Sequence, residues 1–158
     1  MQIFHRNIFA DQVEHFCCNK LFGRTGKSLS PAVDMGQSEG GFVKGLGFFL
    51  REDLCLAESG AVDTNGTWEY KPPCSADVPL DFRVRFLQDS AFLKGVLSSK
   101  ASGEPPLVLA TSVFAALRHA IAAARGAGGR SGHFVLHAPA TVDKIAQACG
   151  VALKGSEI

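Results

Sequence analysis

The sequence predicts an α+β fold: two long helices and a short C-terminal helix packed with a small mixed or antiparallel sheet. Three observations carry this. Leu107 to Arg125 is almost wholly apolar or small, with Val108, Leu109, Val113, Phe114, Leu117 and Ile121 in a run of helix formers. Residues 37–50 keep helical length although glycines stand at 36, 40, 41, 45 and 47. Phe82-Arg83-Val84-Arg85-Phe86 alternates strictly, which is the pattern of a half-buried strand.

The chain has 158 residues, enough for one ordinary domain with a core, and its 46% hydrophobic and 20% charged content is that of a globular protein. A formal charge of +1 and scattered arginines give no nucleic-acid footprint. No apolar stretch is expected to reach the length of a membrane span without charges. His5, Arg6, Asp11 and Glu14 stand where a signal peptide needs an apolar run, so a cytoplasmic setting is expected, with a peroxisomal one left open. The five cysteines, at 17, 18, 55, 74 and 149, match no zinc or iron–sulfur spacing and read as reduced thiols; no metal ligands are assigned.

Taken in order, residues 1–27 show only loose helical spacing. The next element is a helix from Gln37 to Leu50 with Asp34 near its start. Each glycine inside it costs roughly 0.8–1 kcal/mol against alanine, so its surroundings must hold it. Such glycines suit either close helix packing or close approach of a ligand. Residues 51–75 read as a hairpin or extended loop, with a short strand at Leu54 and Leu56 and a turn at Asn65-Gly66. The strand at 82–86 should bury Phe82, Val84 and Phe86 and leave Arg83 and Arg85 in water. Val96-Leu97 reads as a short strand. The helix from Leu107 to Arg125 should run about five turns, its first half buried all round; Gly126 should end it, with Arg125 complementing the dipole. His119 belongs on its surface. A glycine-rich loop over 126–132 precedes a short helix from Ala140 to Ala148, and the tail after Gly150 should be flexible.

Between the strand and the long helix lies Ser98-Ser99-Lys100-Ala101-Ser102-Gly103-Glu104-Pro105-Pro106-Leu107. Gly103 permits a close backbone approach or φ > 0. The prolines fix φ near the helical value at a helix start. Glu104 therefore sits on a stiff elbow where the helix dipole favours negative charge, as suits a positioned general base. The same arrangement also serves as an ordinary helix start. Gly23-Arg24-Thr25-Gly26-Lys27-Ser28 lacks the first glycine of a phosphate-binding loop, since Leu21 holds that place.

Three stretches together resemble one family, the molybdenum hydroxylases that include aldehyde oxidase and xanthine dehydrogenase. They are Ser30-Pro31-Ala32-Val33-Asp34-Met35-Gly36-Gln37-Ser38-Glu39-Gly40-Gly41-Phe42-Val43-Lys44-Gly45-Leu46-Gly47, the elbow from Ser98 to Leu107, and Pro139-Ala140-Thr141-Val142-Asp143-Lys144-Ile145. Ser30 stands where the family has Asn, Lys44 where it has Gln, and Val142 where it has Pro. The resemblance covers residues 27–150. It implies the C-terminal part of a molybdenum-cofactor-binding domain, with 1–26 a divergent segment and 151–158 a tail. It also implies hydroxylation of aldehydes or purine-like N-heterocycles. The implied cofactor is molybdenum-molybdopterin; the family's 2Fe-2S clusters and FAD belong to parts this sequence lacks. The rest of the molybdenum domain is the implied partner, within a homodimer, with no nucleic acid or membrane involved. By motif match, Glu104 is the general base, and Gln37 and Gly103 lie against the cofactor. The alternative expectation is a truncated, non-catalytic fragment or interaction module; in either case the isolated chain is expected to be inactive.

Overall fold

Pro31 starts the longest element, α1 (Pro31–Leu50), in the computed structural model, which describes residues 18–23 and 25–151. Proline suits a first helical position because its fixed φ is already helical and its missing N–H has no partner to lose. The helix thus begins six residues before the expected Gln37. Ser30 is extended (φ −150°), and its carbonyl accepts the Asp34 N–H at 3.0 Å.

The described sheet has two strands, β1 (Cys18–Gly23) and β2 (Asp81–Phe86). They pair in parallel, Cys18 opposite Asp81 and Gly23 opposite Phe86. This corrects the expected mixed or antiparallel sheet. Parallel neighbours need a long crossover, and here residues 24–80, α1 included, supply it. β1 falls within the stretch set apart as divergent. Along β2, Phe82 and Val84 pack on the core while Arg83 and Arg85 are exposed, as alternation predicts; Arg83 pairs with Asp81 at 2.6 Å.

Residues 51–75 form an irregular excursion with one antiparallel bridge, Leu56 to Val62, and a turn in which the Tyr70 N–H donates to the Gly66 carbonyl. Val96–Ser98 is a 3-10 turn and not the expected strand. Leu97 and Ser98 take positive φ, 50° and 62°, and the Ser98 and Ser99 amides bond three residues back.

The apolar run begins its helix at Glu104 and divides into α2 (Glu104–Leu109) and α3 (Thr111–Ala127). At the joint the Ala110 amide is shared between the Pro106 and Leu107 carbonyls, and the Thr111 hydroxyl donates to the Val108 carbonyl at 2.7 Å. The side chains that should have been buried all round are not: Val108 is 66% exposed, and Leu107 and Leu109 are also open. Only the face toward α1 is covered. Glu104–Ala127, 24 residues in all, meets the length and apolarity of a membrane span, contrary to the sequence expectation. Its many alanines raise its mean hydropathy, but Val113, Ala120 and Ile121 are packed inside the protein. α3 runs two residues past Arg125, with Gly128 as cap, and His119 is on its surface. The last helix is α4 (Val142–Ala148).

Two small cores result. Phe42 and Leu46 of α1 meet Ala110 and Val113, flanked by Phe82 and Val84 of β2. Ile121 of α3 meets Leu136 and Ala140, flanked by Phe114, Leu117 and Ile145. Phe49 joins the two: its ring lies 5.8 Å from that of Phe114, and its carbonyl accepts the Ala140 N–H at 2.7 Å. Residues 1–17 and the tail from 152 lie outside the described residues. So do the side chains of Cys17 and Cys18; Cys55, Cys74 and Cys149 are unpaired thiols.

Candidate active site

The elbow rests on α1 along one stripe of that helix, residues 34, 38, 41 and 45, spaced 4, 3 and 4 apart and therefore on one face. At Gly41 a Cβ would drive into the Gly103 carbonyl oxygen; at Gly45 it would lie 2.5 Å from the Leu107 carbonyl oxygen and 2.6 Å from the Ala110 Cβ. Those separations are too short for any side chain, so α1 and α2 approach as closely as their backbones allow. Farther toward the N-terminus the stripe turns polar. Ser38, buried, donates to the Ser102 carbonyl at 3.2 Å, and buried Asp34 accepts the Ser102 hydroxyl at 3.1 Å and the Ser28 hydroxyl at 2.6 Å.

The elbow is also pinned from its other side. Gly26 and Ser99 form an antiparallel bridge, the Lys27 amide donates to the Ser98 carbonyl at 2.8 Å, and the Lys100 amide donates to the Thr25 carbonyl at 2.8 Å. Gly103 has φ −86°, so glycine serves close approach there and not a positive φ. A Cβ on it would come within 3.2 Å of the Gln37 Oε1.

Where α1 and the elbow diverge they leave an open groove of about 550 Å³. Gln37, Gly103 and Glu104 all line it, so the structure brings the three predicted residues together. Glu104 is the first residue of α2 and is exposed on the groove wall. Gln37 is exposed on α1, and neither it nor Glu104 has a hydrogen bond or ion pair among the described residues. Gly36 and Gly40 also line the groove, with nothing within 4 Å of where their Cβ atoms would be. Lys44 and Lys100 add two cations to its walls; the Lys100 ammonium sits 5.3 Å from the Phe92 ring centroid.

The sequence singled out Gln37, Gly103 and Glu104 as candidates, and all three line the groove. Sequence reasoning missed the contributions of Asp34, Ser38 and Ser102. The signal was present in their spacing with Gly41 and Gly45, but it becomes readable only once α2 is known to lie on that face.

The comparisons with known proteins agree with the motifs. Residues 24–79 match the family described as the molybdopterin cofactor-binding domain. The chain is 49% identical over 130 residues to probable aldehyde oxidase 3 of Oryza sativa subsp. japonica, a match covering 80% of this chain and 10% of that protein. It is 46% identical over 127 residues to xanthine dehydrogenase/oxidase of Mus musculus, covering 78% and 10% respectively. The chain therefore spans about a tenth of the length of these curated relatives. In structure it resembles quinoline 2-oxidoreductase from Pseudomonas putida 86, with a TM-score of 0.69 and 24% identity over 82% of this chain and 15% of that one. It also resembles CO dehydrogenase from Oligotropha carboxidovorans, with a TM-score of 0.66 and 18% identity over the same shares. These two likenesses speak to the fold.

Proposed function

We propose that this chain, homologous to part of the molybdenum hydroxylases aldehyde oxidase and xanthine dehydrogenase, forms one wall of a molybdopterin site and carries its general base. The observation that supports this most directly is the shared groove of Gln37, Gly103 and Glu104. Its residues suit such a cofactor. Gly36 and Gly40 leave α1 bare for a broad group to lie against. The Gln37 side-chain amide, unpartnered within the chain, offers two donors and an acceptor to the cofactor's polar edge. Lys44 and Lys100 suit an anionic phosphate.

When bound, the molybdenum cofactor supplies the oxidising chemistry that hydroxylates an aldehyde or N-heterocycle. This chain's share is placement and proton transfer. A carboxylate oxygen of Glu104 accepts a proton from a group held in the groove. Pro105 and Pro106 restrict the backbone that carries it, and Gly103 lets the elbow lie against Gln37. A positioned base of this kind contributes roughly 10²–10⁴-fold to rate. In a complete hydroxylase carrying this segment, Glu104→Gln should lower turnover by about that factor while molybdenum content stays at the wild-type level. Normal turnover in that variant removes Glu104 from the mechanism.

The openness of Leu107, Val108 and Leu109 favours a second reading for the chain by itself: a segment that needs further polypeptide over its apolar faces and has no turnover alone. Metal analysis of the purified chain separates the two. Stoichiometric molybdenum supports an autonomous site; a metal-free, self-associating product supports the second reading.

A further inference from the structure

We infer that Asp34 is a positioning residue, whose buried carboxylate ties the Glu104 elbow to α1 and so aims the base into the groove. The inference rests on the reading of Glu104 given above. Asp34 is 9% exposed, and each of its oxygens accepts a hydroxyl: Oδ2 from Ser28 at 2.6 Å, Oδ1 from Ser102 at 3.1 Å. Ser102 is two residues before Glu104. It is gripped a second time at its carbonyl, by the Ser38 hydroxyl from the next turn of α1 at 3.2 Å. The peptide leading to Gly103 is thus fixed at both the side chain and the carbonyl of one residue.

These contacts differ in kind from the packing at Gly41 and Gly45. Van der Waals contact holds two backbones at a distance but lets them slide or rotate along it. Hydrogen bonds are directional and weaken steeply off axis, so the Asp34 and Ser38 pair fixes the azimuth of the elbow about α1. A buried carboxylate also accepts more strongly than a neutral group, and its removal leaves the Ser28 and Ser102 hydroxyls without that acceptor. The effect reaches Glu104 through only two residues. One of them, Gly103, has no side chain to stiffen it, so an elbow released at Ser102 has a pivot immediately before the base.

Amide hydrogen exchange on the full 158-residue chain tests this without any cofactor. Ser102→Ala and Asp34→Ala should each raise exchange about tenfold at the two amides that bond the elbow to its neighbouring segment, Lys27 to the Ser98 carbonyl and Lys100 to the Thr25 carbonyl, with α3 amides changing less than twofold as an internal measure of global folding. The double variant should be no faster than Asp34→Ala alone. Asp34→Asn keeps an acceptor for Ser102 and should restore most of the protection. In a complete hydroxylase carrying the segment, Asp34→Ala should lower kcat about tenfold at unchanged KM, and Asp34→Asn should recover most of it. If Ser102→Ala leaves exchange at the Lys27 and Lys100 amides within twofold of wild type, the positioning role is wrong, whatever Asp34→Ala does to overall stability. If the exchange result holds but Glu104→Gln turns over normally, the clamp stands and the base assignment falls.

Discussion

On one face of α1, Gly41 and Gly45 are covered by the chain's own backbone; on the neighbouring face, Gly36 and Gly40 meet nothing within 4 Å. The same residue, at the same cost to the helix, thus stands in two different surroundings within about three consecutive turns. The covered pair lets α2 come close enough for Asp34 and Ser38 to reach Ser102. The bare pair floors the groove that Gln37 and Glu104 line. A glycine-rich helix read as either a packing device or a ligand surface packs closely on one face here and leaves an open groove on another, because a helix face is only about three residues wide and α1 is long enough to present two.

This contrast makes opposed predictions for one chemical change. Gly41→Ala should be the most damaging, since its Cβ would meet a carbonyl oxygen of the elbow and neither backbone can yield cheaply. Overpacking of this kind costs about 1–3 kcal/mol, read as a drop in the midpoint of chemical or thermal unfolding. Gly45→Ala should follow closely, as its Cβ meets both a carbonyl and the Ala110 methyl. Gly36→Ala and Gly40→Ala should change sign and stabilise the chain by up to roughly 0.8–1 kcal/mol, the helix-propensity gain. In a complete enzyme those two variants should nevertheless reduce molybdenum retention, because the new methyl stands in the groove. Destabilisation by Gly40→Ala comparable to that of Gly41→Ala would erase the distinction between the faces.

The smallest expected effect lies at the far end of α1. The Asp77 carboxyl is held below the ordinary aspartate range, first by the Cys74 backbone N–H at 2.8 Å and then by the Arg51 guanidinium at 2.6 Å, just past the last turn of the helix. A carboxyl lowered on folding contributes stability that is present above its unfolded pKa, about 3.9, and lost as pH falls through the folded value. Asp77→Asn should therefore flatten the loss of melting temperature below about pH 4 and change little at neutral pH beyond the lost ion pair. An unchanged acid limb would show that Arg51 and Asp77 do not help anchor the covered face.

Much of this was legible before any coordinates. The helix start at Glu104 with its two prolines and the alternation at 82–86 are local patterns, and local patterns survive folding. The start of α1 was placed six residues late, although Pro31 is the same helix-start signal that Pro105 gives, and the bond from the Asp34 N–H to the Ser30 carbonyl secures that first turn. β1 was missed because Cys-Asn-Lys-Leu-Phe-Gly carries no alternation, and its partner β2 lies nearly 60 residues away in sequence. The break at Ala110 was missed because the run is apolar or small on both sides of it, which masked the weaker helix formers Thr111 and Ser112 at the joint. It is a tertiary event, set where Ala110 wedges against Gly45.

The sequence by itself determined that long helices form, that one starts at the Glu104 prolines and that one strand alternates, since these follow from spacing, proline and glycine within a few residues of chain. Only the tertiary structure decided that the two strands run in parallel, that the glycines divide between two faces, and that Asp34 reaches Ser102. Each of those depends on groups brought together across long stretches of chain by close backbone contact, and no local pattern encodes which face of a helix its neighbour will choose.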